Sequence, residues 1–240
     1  MFIKVNPEIF EKQPNLIIGV VALEILDIVS SAEEIKVLLS DATTQQRQAL
    51  TGRQIKDLPE FDIYHAAMRN FGINPSRKLM SIEALLTRIS KGGDLPEISP
   101  VVDLANSISL QYHVPIGAHD IDSLSDDLEI RFVTPTDVFE DSEGLPGSEF
   151  DPQELVYASG SSIRTRRWIW RQMPAGKLAE NVKKVVFPID GFTDNLETIL
   201  AARDALASNL TRFFNCNIRI GLIEKDTTAC NISDFSDSDL

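Results

Sequence analysis

The sequence predicts an α+β protein with a barrel-like β core and flanking helices. Two changes of pattern support this prediction. Before residue 129 the apolar residues recur mainly at helical spacing, for example in the segment that begins at Ser81. From Glu129 to Ile189 the chain consists of short runs rich in β-branched and aromatic residues, separated by glycine, proline and aspartate, which is typical of strands and turns. Helical spacing returns at Asp194, so helices should lie on both sides of the central strands.

The first half of the chain should hold one buried strand and four helices. Leu16–Ile25 is rich in isoleucine and valine and predicts the strand. Ser31 and Glu34 form a capping box ahead of an apolar run. Ser81 should cap another helix, whose apolar residues follow at i, i+3, i+4 and i+7. The first of these helices should begin at Ser31. The other three should run from Pro59 to Gly72, from Ser81 to Gly92 and from Val101 to about Leu110.

The second half should hold the remaining strands and one long helix. Asp194 and Glu197 make a capping pair for this helix. The acidic stretches Asp137–Pro152 and Asp234–Leu240 predict a loop and a disordered tail. The predicted strands are Glu129–Val133, Glu154–Ala158, Ile163–Trp170, Lys184–Ile189 and Ile218–Leu222, and the helix runs from Asp194 to Phe214.

Composition limits the classes of function. The chain has 240 residues, of which 43% are hydrophobic and 25% charged, as in ordinary globular proteins. Its two cysteines predict neither a disulfide framework nor a metal site. The longest apolar run, Leu16 to Val29, is too short to cross a bilayer and contains Glu24 and Asp27. No basic segment precedes it, so we expect a cytoplasmic protein without a membrane partner.

The net charge of −13 argues against general nucleic-acid binding, and DNA is not an expected partner. The charge is uneven, however. Residues 164–184 are predominantly basic, whereas residues 120–154 are predominantly acidic. A polyanion would therefore have to bind at the first segment.

The basic segment contains a candidate RNA-binding strand. Alternation along an extended strand would place Arg164, Arg166, Trp168 and Trp170 on one face and Arg171 on the other. Guanidinium and indole groups suit phosphates and unstacked bases, so all five are candidate RNA-binding residues. The alternative is that the tryptophans fill the core and the arginines pair with the acidic segment.

A second group of polar residues suits a small binding site. Asp103 and Asn106 lie on one helical turn, and His119-Asp120 follow a Pro-Gly turn. His119 could act as a general base near neutral pH. Alternatively, Asp120 caps a turn and Asn106 satisfies nearby backbone. The three histidines lack metal-site spacing, and no Gly-rich phosphate loop is present, so neither a metal nor a cofactor is predicted.

The same residues carry a family resemblance. Val101-Val102-Asp103-Leu104-Ala105-Asn106, followed by Pro115-Ile116-Gly117-Ala118-His119-Asp120, resembles the B3/B4 domain of the bacterial phenylalanine–tRNA ligase beta chain. The likeness extends over roughly Ser81 to Leu222. It implies a free-standing B3/B4-like domain at residues 81–233, an N-terminal extension at 1–80 packed on the core, and an acidic tail at 234–240.

The resemblance also implies a function. A B3/B4 domain binds the 3′ aminoacyl end of tRNA and, in the ligase, removes mischarged tyrosine. In this chain it implies a cavity with His119 as the catalytic residue and with Asn106, Gly117 and Asp120 around the substrate. The chain is too short to be a complete ligase, so the expected activity is deacylation of mischarged tRNA in trans. The alternative is a small-molecule or protein-binding module that kept the fold without RNA activity.

Overall fold

The computed structural model describes residues 1–28, 32–139, 150–151, 153–179 and 181–235. Ser31, most of the predicted acidic loop at 137–152 and residues 236–240 of the predicted tail lie outside these ranges. The described helices are α1 (Pro7–Lys12), α2 (Ala32–Ala49), α3 (Asp62–Asn70), α4 (Ser81–Ser90), α5 (Pro100–Tyr112) and α6 (Leu196–Phe213). Within the described ranges, no helix combines the length and the apolar character needed to cross a bilayer.

The described strands form two sheets. They are β1 (Phe2–Val5), β2 (Leu16–Ile28), β3 (His119–Asp120), β4 (Leu128–Phe132), β5 (Leu155–Ser159), β6 (Ser162–Arg166), β7 (Arg171–Gln172), β8 (Lys184–Phe192), β9 (Phe214–Ile223) and β10 (Ala229–Asn231). The larger sheet has the order β10-β1-β4-β5-β6-β7, and the smaller has the order β3-β8-β2-β9. The α+β prediction is confirmed. The described strands close no barrel, so the barrel-like part is not confirmed.

The smaller sheet lies between two hydrophobic clusters because β2 and β8 are apolar on both faces. Ile18, Val20 and Ala22 of β2 join the cluster that contains β1, β4 and β5. Ile17 and Val21 join the cluster that contains α5 and α6. Alternation along a strand sends successive side chains to opposite faces, so a continuous apolar run indicates a strand covered on both sides.

β2 lies within the first 80 residues but pairs with both β8 and β9, and β1 pairs with β4. The first 80 residues therefore supply strands to both sheets. The boundary at residue 80 between an extension and a B3/B4-like domain stays a prediction.

Two predicted helix caps are wrong in detail. Ser81 is the first residue of α4 rather than its cap, and the Glu83 carboxylate accepts from the backbone N–H of Met80 at 3.3 Å. A 3-10 turn at Thr193–Asn195 precedes α6, and the Asn195 side chain accepts from the N–H of Phe192 at 2.8 Å. In both cases the side chain three residues into the turn satisfies the free N–H, as in the second half of a capping box.

The predicted strand Ile163–Trp170 is also wrong, because the strand ends at Arg166. Arg167 and Trp168 have φ values of 49° and 60°, in the left-handed region. This turn reverses the chain, so that Arg171 pairs back with Arg166 in the next strand. The Trp168 N–H donates to the Leu155 carbonyl at 2.7 Å, which fixes the turn against β5.

Candidate functional site

A cavity of about 760 Å³ opens between α5, the end of β8 and the turn that follows β6. Pockets for small ligands usually measure about 300–1,000 Å³, are mostly apolar and contain a few polar groups that orient the ligand. This cavity fits that description. The residues used below that line it are Asn106, Gly117, His119, Tyr157, Trp168, Trp170, Arg171, Gln172, Lys177, Pro188 and Asp190.

The cavity is lined by one carboxyl group, that of Asp190, among the residues that the structure describes. Alternation along β8 places Val186, Pro188, Asp190 and Phe192 on the face opposite to α6. Asp190 is 2% exposed. Burial raises its pKa from an ordinary value of 3.8 to about 7, although its two hydrogen bonds act in the opposite direction. The cavity therefore holds a carboxyl group that titrates near neutral pH.

Two buried donors hold one oxygen of this carboxyl group. The Tyr157 hydroxyl donates to Oδ1 at 2.7 Å, and the Trp168 Nε1–H donates to the same oxygen at 2.6 Å. Trp168 is itself packed edge-on against Phe71 and Phe192, with ring centroids 5.7 and 6.0 Å apart. Among the described residues none donates to Oδ2. One oxygen is therefore fixed by the protein, and the other is available to a ligand or a water.

His119 lies against Tyr157, one of the two donors to Asp190. Its ring is stacked on Tyr157 with centroids 5.6 Å apart and planes 24° apart, and the residue is 1% exposed. Burial, followed by the charge of Arg164, lowers the pKa of His119 to about 3. Its Nδ1 is buried without a hydrogen-bond partner among the described residues. The imidazole is therefore neutral at pH 7, and it can hold a hydrogen bond but is a weak base.

Of the three predicted substrate-binding residues, Asn106 and Gly117 line the cavity and Asp120 does not. Asn106 lines the cavity from α5, and its side chain makes no hydrogen bond within the described ranges. Gly117 lines the opposite wall, where its N–H donates to the Pro188 carbonyl at 2.9 Å. A Cβ at position 117 would lie 3.0 Å from the Pro188 ring, so the glycine permits close contact of the two segments.

Asp120 does not line the cavity. Its carboxylate accepts from the N–H of Asp122 at 3.0 Å and caps a 3-10 turn, which is the structural alternative for this residue. Asp103 similarly accepts from the N–H of Ile98 at 3.0 Å, ahead of α5. Both carboxylates satisfy backbone donors, and neither faces the cavity.

The predicted RNA-binding residues do not share a face, because the left-handed turn separates them. Arg164 is buried and donates to Ser123. Arg166 binds both carboxylate oxygens of Glu154 at 2.7 Å. Trp168 holds Asp190 in the cavity floor. The alternative of buried tryptophan and acid-paired arginine therefore describes Trp168 and Arg166, whereas Arg164 is buried with a serine as its partner.

Trp170, Arg171 and Lys177 instead line the cavity. Lys78 does not line it but contacts the Trp170 ring, and we call these four residues the basic rim. The Lys78 ammonium lies 3.9 Å from the centroid of the Trp170 ring, and the Arg167 guanidinium lies 5.0 Å from it. Burial and then the charges of Arg167 and Arg166 lower the pKa of Lys78. Lys78, Arg171 and Lys177 form no ion pair within the described part of the chain, so the rim presents positive charge beside the cavity.

Sequence reasoning missed Tyr157, Gln172 and Asp190. Gln172 donates from Nε2 to the carbonyls of Ala118 and Gly176, which ties the rim to the segment before His119. Asp190 could have been identified as a candidate site residue because it is a single carboxylate at the end of an apolar run. No cluster of histidine, cysteine, aspartate or glutamate in the described ranges could hold a metal ion.

The chain was compared with solved structures, curated proteins and family models. The crystal structure of an N-terminal fragment of the phenylalanyl-tRNA synthetase beta-subunit from Pyrococcus horikoshii is similar to the chain with a TM-score of 0.41 and 15% sequence identity. The match covers 52% of this chain and 43% of that fragment, and thus less than half of the fragment's length. No curated protein matches the sequence. The family model of the B3/4 domain matches residues 63–215, which is more than half of the chain. The protein therefore belongs to the B3/4 domain family.

Proposed function

We propose that the protein binds the 3′ aminoacyl end of a tRNA and hydrolyses the ester bond of a mischarged amino acid. The observation that carries this proposal is the combination of a cavity with a buried carboxyl group on its floor and a basic rim at residues 78, 170, 171 and 177. The family membership and the resemblance of residues 101–120 to the ligase domain support it further. The geometry of the site suits an anionic strand that ends in a small group, and the family suggests that this strand is a tRNA.

The basic rim suits the nucleotide part of such a ligand. Arg171 and Lys177 can bind the phosphates of a single strand, and the Trp170 ring offers a surface on which a base can stack. Lys78 contacts that ring and adds a third positive charge near it. The rim is small and the protein carries a net charge of −13. Binding should therefore be weak and should fall as the salt concentration rises.

The interior of the cavity suits the aminoacyl part. Asn106 has an amide that can bond to an ester carbonyl or an α-amino group, and neutral His119 can hold a water or a hydroxyl group. The walls are largely apolar, and their contacts with a ligand side chain would contribute to amino-acid selection. Hydrolysis then requires a group that accepts the proton of the attacking water.

The activity is tested by incubating the purified protein with a panel of mischarged and correctly charged tRNAs and measuring the release of amino acid. Release from at least one mischarged tRNA, at a rate above that of spontaneous hydrolysis, supports the proposal. Absence of release from every tRNA refutes the hydrolysis. His119→Ala tests the predicted catalytic role of that residue in the same assay.

The rim is tested by Arg171→Glu combined with Lys177→Glu. Loss of two phosphate contacts should lower the slope of log affinity against log salt by about 1.4, at about 0.7 per contact for a single strand. The matched control is Arg212→Glu with Lys225→Glu, which changes the charge equally at exposed positions that do not line the cavity. Arg166 is unsuitable for this test, since a glutamate there would face Glu154 and destabilise the fold. Equal losses in both double variants would contradict the assigned interface.

The alternative function is a small-molecule or protein-binding module without RNA activity. The net charge and the predominantly apolar cavity favour it. This function predicts that a free amino acid or another small ligand binds in the cavity with an affinity independent of salt. It also predicts that the charge reversal at Arg171 and Lys177 leaves this binding unchanged, and that no aminoacyl ester is hydrolysed.

A further inference from the structure

We infer that Asp190 is the general base of the cavity, and that its carboxylate takes the proton from the water that attacks an aminoacyl ester. This inference rests on the proposed function and assigns its chemical step to a residue that the sequence did not single out. The supporting geometry is the place of Asp190 in the cavity lining, its Oδ2 atom to which no described residue donates, the two donors on Oδ1 and the 2% exposure of the residue.

The step balances without a cofactor. The water oxygen forms a bond to the ester carbonyl carbon while one water proton moves to Oδ2 of Asp190. The tetrahedral intermediate then breaks its bond to the ribose oxygen. That oxygen takes the proton back from the Asp190 carboxyl group, which leaves a free amino acid, a ribose hydroxyl and the original carboxylate.

The position of the carboxylate suits this role because the protein fixes it. The hydrogen bonds from Tyr157 and Trp168 both reach Oδ1, at 2.7 and 2.6 Å, and hold the plane of the group. Both donors are fully buried, so their positions are set by core packing. A base held in this way needs little reorganisation when a ligand enters.

The other groups around Asp190 are poorer bases. Among the described residues that line the cavity, Asp190 is the only one with a carboxyl group. Tyr157 is a donor whose pKa is raised by burial, and the Tyr64 hydroxyl donates to the Asp190 backbone carbonyl. His119 is neutral with a pKa of about 3, whereas the pKa of Asp190 of about 7 lies where a general base works best. Arg171 and Lys177 line the same cavity and carry the rim's positive charge.

The decisive variant is Asp190→Asn, which keeps the shape and leaves an oxygen to accept from Tyr157 and Trp168. Deacylation should fall by about 10²–10⁴, the usual contribution of a general base. Affinity for a non-hydrolysable tRNA with an amide-linked amino acid should stay within a few-fold of that of the wild type. A loss of binding equal to the loss of rate would show a binding role and overturn the inference.

The pH profile provides a second readout that a structural role would not change. The wild-type rate should rise with pH and level off above about pH 7, and Asp190→Asn should lack this rise. Tyr157→Phe removes a hydrogen bond that lowers the pKa of Asp190, so the rise should move to higher pH. Circular dichroism and thermal unfolding check that both variants fold. If Asp190→Asn does not fold, the pH profile of Tyr157→Phe tests the inference.

The outcomes separate the two proposals. A wild-type enzyme that deacylates tRNA, with an Asp190→Asn variant that is equally active, overturns the base assignment and leaves the proposed function intact. An unmoved pH profile in Tyr157→Phe also overturns it. A wild-type protein that deacylates no tRNA overturns the proposed hydrolysis together with this inference.

Discussion

Asp190→Asn should stabilise the protein above neutral pH, even though it removes the carboxyl group of the cavity. Folding raises the pKa of Asp190 from 3.8 to about 7. Between these values the folded protein keeps a proton that the unfolded chain has released. Unfolding therefore becomes easier as the pH rises through this window. Asparagine carries no such proton, so the variant avoids the loss.

The size of the effect follows from the shift. A difference of about 3 pKa units, at 1.36 kcal/mol per unit, corresponds to about 4 kcal/mol. The free energy of unfolding of the variant minus that of the wild type should therefore increase by about 4 kcal/mol between pH 4 and pH 8. The increase should be complete just above pH 7, where the folded carboxyl group has lost its proton.

The effect of Asp190 has to be measured as a difference between the variant and the wild type, because His119 also makes the stability depend on pH. Folding lowers its pKa from 6.5 to about 3, so the unfolded chain binds the additional proton in this window. His119 therefore makes the wild type more stable as the pH rises from about 3 to 6.5, which opposes the effect of Asp190. The contributions of these two groups to the stability of the wild type should therefore largely cancel, whereas the difference from Asp190→Asn isolates the carboxyl group.

The assay is urea unfolding followed by far-ultraviolet circular dichroism at several pH values between 4 and 8. Asp226→Asn is the matched control, because it removes a carboxylate from an exposed turn. The reasoning is refuted if the difference between Asp190→Asn and the wild type stays constant within about 1 kcal/mol, less than one pKa unit of linkage.

Three further variants test buried contacts of the fold by urea unfolding. A Cβ at Gly191 would overlap the Ile199 side chain, so Gly191→Ala should cost about 1–3 kcal/mol, and Ile199→Ala should relieve part of this cost in the double variant. Asp137→Ala should cost about 3–5 kcal/mol because it leaves the guanidinium of Arg131 buried without its bidentate partner at 2.7 Å. Tyr64→Phe should cost about 1–3 kcal/mol, since its hydroxyl donates to one buried carbonyl and accepts from an amide. A loss below about 0.5 kcal/mol in any one of them would contradict the contact assigned to it.

Much of the helical and strand framework could be predicted from local pattern. Leu16–Ile25 lies within β2, and the helix predicted from Val101 to Leu110 lies within α5. These elements have long runs with one clear period, so propensity and burial agree. The short strands β1 and β10 were missed, because three or four residues carry too little periodicity to indicate a strand and their pairing partners are distant in sequence.

The segment from Arg164 to Arg171 shows where local pattern fails. Its composition of β-branched and aromatic residues predicts one continuous strand, but two residues in the left-handed conformation end it at Arg166. The hydrogen bond from Trp168 to Asp190 and the ion pair between Arg166 and Glu154 outweigh the local preference. Such contacts join residues that the sequence does not place together, so propensity alone could not predict them.

The sequence by itself determined the α+β class, the family of the domain and the basic character of residues 164–184. Only the tertiary structure decided which polar groups share the cavity. It brings Asp190 of β8 against Tyr157 of β5, and it leaves Asp120 as a backbone cap. The reason is that burial and partner geometry set the chemistry of a titratable group. Both depend on contacts between distant segments, which exist only once the two sheets and their helices have packed.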